Sequence, residues 1–496
     1  MNRNPEDWKT GSVMERMECI ECITSEEMAA LDLNCEYFGL SRLQLMENAG
    51  MALANEVLKL RPSKVTVFAG LGNNGGDAFV ASRILSCRAD VEVILLGRSS
   101  EIKTEIARRN FELCRLSGVR IVEIRDSEEL KELKERLETD CILDAMLGTG
   151  VKGKLREPYS TAVDVINSSD CVKIAVDVPT GLNPDSGEFD KAVRADVTVT
   201  FHKPKPGLLR EEAKECVGKL VVRDIGIPES FEKLAGPGDV KITLRRDRYG
   251  HKGTHGRVLI VGGGPYTGAP ALAAMAVLKA GADLAFLAVP SGIRETVSSY
   301  SPELIVSSLD EVGRLAERCH SAVIGMGMDE EVASEVVKIV SGKCDRIVLD
   351  AGALGAVDAA ECDSIVLTPH RGELKRYFGI DCVEAAEIGE VSNLAKELNA
   401  TVLLKGAVDI VTDGTRLKFN RTGNAGMTVG GTGDVLAGVC GAFLAISSDP
   451  FRSATSASFI TGLAGDICFE ELGYCFTAMD LIERLPLAVK KCTELR

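Results

Sequence analysis

Gly430-Gly431-Thr432-Gly433-Asp434 sets a carboxylate directly after three glycines and a threonine. These residue types let backbone N–H groups turn inward at the start of a helix. Such a start offers an anion unpaired donors and the positive end of the helix dipole, so a phosphate fits there. The text that follows, Val435 to Ile446, is apolar or small almost all round and suits a helix buried under a ligand. A carboxylate beside a phosphate is electrostatically unfavourable unless chemistry uses it, which points to Asp434 as a general base. The same pentapeptide also suits a tight turn in which Asp434 only caps the helix.

Other segments of the second half supply partners. Lys405-Gly406-Ala407-Val408-Asp409 follows the apolar run Thr401–Leu404, placing a cation and a flexible backbone where a strand ends. Thr368-Pro369-His370 follows Ile365–Leu367 in the same way. His370 could hold a ring or amide by hydrogen bonding, although a lone histidine is more often structural. Gly262-Gly263-Gly264 and Gly325-Met326-Gly327 complete a set of glycine-rich strand exits that together outline a crevice.

In the first half, Gly70-Leu71-Gly72-Asn73-Asn74-Gly75-Gly76-Asp77 follows the run Val65–Phe68 and reads as a strand-to-helix loop open enough to touch phosphates. The paired asparagines add neutral, hard oxygens suited to a weakly charged cation. Asp144 closes the run Cys141–Leu143, and Gly148-Thr149-Gly150-Val151-Lys152-Gly153-Lys154 follows as a loop with two cations for anionic oxygens. Asp177-Val178-Pro179-Thr180-Gly181 is a third acidic strand exit. Asp144 and Asp177 could instead merely cap turns.

These residues need a frame to hold them. Short β-branched runs, each followed by a glycine-rich turn and a longer helical pattern, recur from about Val65 and predict an α/β chain with parallel sheets and crossover helices. Strands are expected at Val65–Phe68, Val91–Leu95, Cys141–Leu143, Lys173–Val176, Val197–Phe201 and Leu220–Val222, then at Arg257–Val261, Leu284–Val289, Ala322–Ile324, Ile347–Leu349, Ile365–Leu367 and Thr401–Leu404. At 496 residues the chain is too long for one core. Gly236-Pro237-Gly238-Asp239 marks a break, giving an extension over 1–19 and domains over 20–235 and 236–496.

Composition excludes several classes. A net charge of -15 argues against nucleic-acid and anionic-membrane surfaces. The longest apolar stretch, Ala269 to Pro290, is interrupted by Lys279 and Asp283 and cannot span a bilayer. The polar start, Met1 to Thr10, lacks a signal-peptide core, so a cytoplasmic protein with 16 reduced cysteines is expected. Cys19-Ile20-Glu21-Cys22 has no second pair to make a zinc site, and Glu128 to Glu138 reads as the solvated face of a helix.

Two family resemblances follow from these motifs. Thr368-Pro369-His370, the Lys405 segment and Asn424-Ala425-Gly426-Met427 through Asp434 resemble the ribokinase-like NAD(P)H-hydrate dehydratases, over roughly Arg245 to the C-terminus. The resemblance implies nucleotide-driven dehydration of hydrated NADH or NADPH by a ribokinase-like αβα domain. Lys405, Gly406, Ala407, Val408, Asp409 and Gly433 would contact ADP or ATP with Mg2+, while Ala269, Gly327, His370 and Asp434 would face the hydrate. Gly325-Met326-Gly327-Met328 lacks the proline usual there.

Leu45-Met46-Glu47-Asn48-Ala49-Gly50, the double-asparagine loop, Asp144 to Gly150 and Asp177 to Gly181 resemble the NAD(P)H-hydrate epimerases, over about Ile20 to Ile227. This implies a Rossmann-like αβα sandwich, so both domains would be doubly wound, and interconversion of the C6 epimers of the hydrate. Asn74, Asp144 and Thr180 would bind potassium, with Thr180 where serine is more usual. Asn73, Asn74, Gly75, Gly76, Asp77, Gly148, Thr149, Gly150, Val151, Lys152, Gly153, Lys154 and Asp177 would contact the hydrate. Lys205, in Phe201-His202-Lys203-Pro204-Lys205, resembles the family's site lysine, and Asp177 with Lys205 would form the acid–base pair. A homo-oligomer, a tetramer being one form, is also implied. A ribokinase-type small-molecule kinase carrying a ligand-sensing first half is the alternative.

Overall fold

A computed structural model describes residues 22–150, 153–246, 249–381 and 387–495. They form two compact units divided between Pro228 and Glu229. The expected break at Gly236 lies further on because the preceding residues are tied into the second unit. Phe419 N–H donates to Lys233 O at 2.7 Å, Ala235 N–H donates to Phe419 O at 2.9 Å, and Ala235 is buried in the second unit's core.

The first unit begins with two helices absent from the sequence expectations, α1 (Ser25–Tyr37) and α2 (Arg42–Leu58). Each is started by a capping box, Thr24 with Glu27 and Ser41 with Gln44. The sheet then runs β1 (Lys64–Ala69), α3 (Asn73–Leu85), β2 (Asp90–Leu96), α4 (Glu105–Leu116), β3 (Arg120–Ile124), α5 (Ser127–Arg136), β4 (Cys141–Ala145), α6 (Tyr159–Asn167), β5 (Val172–Val176), β6 (Val197–Phe201) and β7 (Lys219–Arg223). All strand pairs are parallel, in the order β3-β2-β1-β4-β5-β6-β7. The central strands are buried on both faces, which explains their largely apolar text. Strand order reverses between β1 and β4, the place where doubly wound sheets open a crevice.

In the second unit α7 (Pro237–Thr243), α8 (Gly268–Lys279), α9 (Glu330–Ser341), α10 (Arg371–Phe378), α11 (Glu387–Glu397), α12 (Thr432–Ser447), α13 (Pro450–Leu472) and α14 (Ala478–Thr493) surround a nine-stranded sheet. Its order is β10 (Ile305–Ser308), β9 (Leu284–Val289), β8 (Arg257–Val261), β11 (Ser321–Ile324), β12 (Arg346–Leu349), β13 (Ser364–Leu367), β14 (Thr401–Leu404), β15 (Asp409–Thr412) and β16 (Leu417–Asn420). The strands are parallel up to β14; β15 and β16 pair antiparallel. A core of Val258, Ile260, Val348 and Phe443 lies on one face, and one of Leu259, Ile324, Leu349 and Leu394 on the other. Among the described residues no helix is long and apolar enough to cross a membrane.

Candidate active sites

In the first unit a cavity of about 640 Å³ opens at the carboxyl ends of β1, β4, β5 and β6. Asn73, Asn74, Asp77, Gly148, Thr149, Gly150, Lys154 and Asp177 line it, together with Lys205. Gly75 and Gly76 are buried in the first turn of α3 and are absent from the wall. Gly153 lies off this wall as well, lining a smaller hollow with Lys154. Val151 and Lys152 lie outside the described residues. Gly72 starts α3 without a side-chain cap, and Gly72, Asn73 and Asn74 line the cavity, which sets the start of that helix at its wall.

Asp177 and Lys205 meet inside it. The backbone of Asp177 is left-handed, with φ 61°, on the turn leaving β5. Its Oδ1 accepts from Lys205 Nζ at 2.5 Å, Thr200 Oγ1 at 2.9 Å and Phe201 N at 3.4 Å. Oδ2 takes none of these bonds. The buried Lys205 ammonium donates to Asp177, to Thr200 Oγ1 at 3.2 Å and to Phe201 O at 3.4 Å, which uses its three hydrogens.

Asn74, Asp144 and Thr180 also converge. Thr180 donates its N–H to Asp144 Oδ2 and its hydroxyl to Asp144 Oδ1, both at 2.7 Å, while Asn74 Nδ2 donates to Leu147 O at 3.3 Å. Asp144 is fully buried, and burial pushes its carboxyl up to about 6 against the lowering effect of its Thr180 bonds. The donor set contains one carboxylate, a hydroxyl, an amide oxygen and the Leu147 carbonyl. A single negative charge among neutral oxygens fits a weakly charged cation.

In the second unit Asp434 lies in the first turn of α12, whose N-cap Gly431 has φ 96° and no side-chain cap bond. Asp434 makes no hydrogen bond with the described residues, so capping is not its task. Burial pushes its carboxyl up to about 7, Asp350 adds to the rise, and Lys405 opposes it. Lys405 Nζ donates to Asp350 Oδ1 at 3.0 Å and lies 3.8 Å from Glu373 Oε2. Burial draws the Lys405 ammonium down, but Asp350 and Glu373 hold it above its ordinary value. A Cβ built on Gly433 would sit 3.6 Å from Lys405 Nζ, and one on Gly327 would sit 3.6 Å from Ala269 Cβ. These contacts bring Lys405 to Gly433 and Gly327 to Ala269.

Two of the expected site residues also make structural bonds. His370 Nδ1 accepts from Glu373 N–H at 3.1 Å and caps α10, with its ring largely exposed. The Asp409 carboxylate turns inward, accepting from Gly406 N–H at 3.0 Å, Asn420 Nδ2 at 3.1 Å and Ser458 Oγ at 2.6 Å. It closes the turn after Lys405, so what this turn offers a ligand lies in the exposed residues 406–408 rather than in the Asp409 carboxylate.

Residues 258–487 match the NAD(P)H-hydrate dehydratase family, and residues 42–207 match the YjeF-related protein N-terminus. A bifunctional NAD(P)H-hydrate repair enzyme of Archaeoglobus fulgidus is 53% identical, with 95% of this chain and 99% of that one covered. This chain belongs to the bifunctional NAD(P)H-hydrate repair enzymes. The relative from Pyrobaculum aerophilum is 43% identical over 95% of this chain and 99% of its own. Among solved structures, the ADP/ATP-dependent NAD(P)H-hydrate dehydratase from Bacillus subtilis co-crystallized with ATP/Mg2+ is 25% identical, covers 52% of this chain and 98% of its own, and has a TM-score of 0.48.

For this repair-enzyme chain, sequence reasoning missed Asp32, Asp350 and Glu373. Asp350 stands at the exit of β12, much as Asp144 stands near the carboxyl end of β4, and could have been found by the same rule. Glu373 follows His370 at the capping-box spacing. Asp32 lines the first cavity from α1, a helix whose weakly periodic text hid it.

Proposed function

We propose that the first unit interconverts the C6 epimers of hydrated NADH or NADPH and that the second dehydrates the S epimer with ADP or ATP, releasing AMP or ADP and phosphate. The supporting observation is that each unit sets a half-buried carboxylate within electrostatic reach of a lysine that follows a strand of its sheet: Asp177 with Lys205, and Asp434 with Lys405.

For epimerisation, Asp177 Oδ2 takes the proton of the C6 hydroxyl. The C6–N1 bond breaks as C6=O forms, N1 gains a proton, and rotation about C5–C6 before reclosure inverts the centre. Lys205 and Thr200 hold Asp177 in place through Oδ1. For dehydration, Asp434 takes the C6 hydroxyl proton as that oxygen attacks the terminal phosphoryl group. The phosphorylated oxygen then leaves as phosphate, and loss of a proton from C5 restores the C5=C6 bond. With a pKa of about 7, Asp434 is tuned to act as a base near neutral pH. The uncapped N–H groups of α12 and the Lys405 ammonium stabilise charge on the transferred phosphoryl oxygens.

Asn74, Asp144, Leu147 O and Thr180 are the groups that would hold potassium, which would supply a fixed positive charge at the cavity. Asp350 and Glu373 are the carboxylates that would face Mg2+ carried on the nucleotide, which neutralises phosphate charge. Exchange of potassium for choline is expected to slow epimerisation and lower the first unit's melting temperature while leaving dehydration of purified S epimer unchanged. The described cysteines are all free, which suits a cytoplasmic setting. The homo-oligomer is checked by sedimentation.

The deciding experiment incubates mixed NADH hydrate epimers with chain and ADP or ATP. Complete recovery of NADH with stoichiometric phosphate is expected. A phosphorylated small molecule without NADH would instead support a ribokinase-type kinase.

A further inference from the structure

The epimerisation mechanism proposed above needs a group that gives N1 its proton, and Lys205 is badly placed to be that group. Its three hydrogens go to Asp177, Thr200 and Phe201 O, so proton donation would break the bonds that hold Asp177. The same cavity carries two further carboxylates, Asp32 from α1 and Asp77 from α3. Helix α1 is fastened to the Lys205 loop, since Ile23 N–H donates to Pro204 O at 3.0 Å just ahead of its first turn. Ser25 N–H adds a bond to Asp185 Oδ1 at 2.8 Å. Asp32 follows within this anchored helix and lines the cavity with Asp177 and Lys205.

Resting on that mechanism, we infer that Asp32 is the general acid of epimerisation, giving its proton to N1 as the C6–N1 bond breaks and recovering it when N1 closes on the opposite face. Asp177 takes the hydroxyl proton in the opening step and returns it in the closing step, so protons and electron pairs balance over the cycle without a co-reactant. The groups facing Asp32 fit the role. Burial pushes its carboxyl up to about 7, against the opposing charges of Lys205 and Arg42, while Asp177 adds to the rise. Burial pushes the Asp77 carboxyl well above its ordinary value too, with Asp177 and Asp32 adding to the rise and Lys205 opposing it.

The test measures R-to-S interconversion of NADH hydrate by the full-length chain across pH, above the uncatalysed rate, with dehydration of purified S epimer as a control on folding. The wild-type rate should fall as pH rises through about 7, because the acid must be protonated. Asp32→Asn should lower kcat about 10²- to 10⁴-fold, with a much smaller change in KM, and should abolish that alkaline limb; Asp32→Glu should restore part of both. Asp32→Asn retaining the wild-type rate, or losing rate while keeping the alkaline limb, would overturn the assignment. A wild-type chain unable to interconvert the epimers would refute the epimerase reading itself, a different failure from that of Asp32.

Discussion

Asp434 is the residue on which the dehydratase chemistry turns, and its environment makes its pH behaviour testable. A base with a pKa of about 7 is ionised only above that value, so kcat/KM for dehydration should climb as pH rises through about 7. Lys405 lowers that value, so Lys405→Met should move the rising limb to higher pH, and Asp350→Asn, removing the charge that raises it, should move the limb lower. Asp434→Asn should abolish dehydration while leaving epimerisation intact. The same substitution should stabilise the fold. Because the folded value lies above the ordinary 3.8, ionisation destabilises the fold progressively as pH rises from about 4 to about 7. Thermal melts at pH 8 should therefore show Asp434→Asn more stable by about 1 to 3 kcal/mol, allowing for partial exposure. Glycine and carboxylate types made Asp434, Asp144 and Asp177 legible in the sequence. The roles of Lys205, His370 and Asp409 depend on which partners consume their hydrogens and lone pairs, and spacing does not carry that information.

At the level of elements, the apolar runs of the central strands announced themselves, because burial on both faces removes any need for polar alternation. The strands left unassigned are those with a mixed or short pattern: β3, the edge strand β10, and the antiparallel β15 and β16. Helix α12 was legible as a buried helix, but its close packing on α8 was not. A Cβ built on Gly438 would lie 2.3 Å from Ala273 O, a backbone atom that cannot swing away. Gly438→Ala should therefore push α12 off α8 and cost about 1 to 3 kcal/mol. It should also depress dehydration, because α12 carries Asp434, and leave epimerisation at its wild-type rate. Gly389 on α11 provides the contrast, being exposed with open space where a Cβ would go. Gly389→Ala should stabilise the chain by about 0.4 to 1 kcal/mol. Equal melting temperatures for the two variants would show that the α8–α12 packing does not govern the stability of the second unit.

On the scale of the whole chain, each unit has its own sheet, core and site, with every site contact described here lying within one unit. Sequence breaks located two domains, although the backbone bonds of Lys233 and Ala235 to Phe419, which set the boundary, join residues too far apart in sequence to be read as a pair. Sites built independently should be separable by mutation and restored by mixing. With both epimers and ADP supplied, an Asp177→Ala chain should convert only the S fraction beyond what uncatalysed epimerisation provides, and an Asp434→Asn chain should yield no NADH. Equal amounts of the two variant chains should together recover NADH completely, since the first unit of one supplies free S epimer to the second unit of the other. If the mixture recovers no more NADH than Asp177→Ala alone, while Asp177→Ala still dehydrates purified S epimer and the Asp434→Asn chain remains folded, the Asp434→Asn chain releases no S epimer, and independence of the two units in catalysis is wrong.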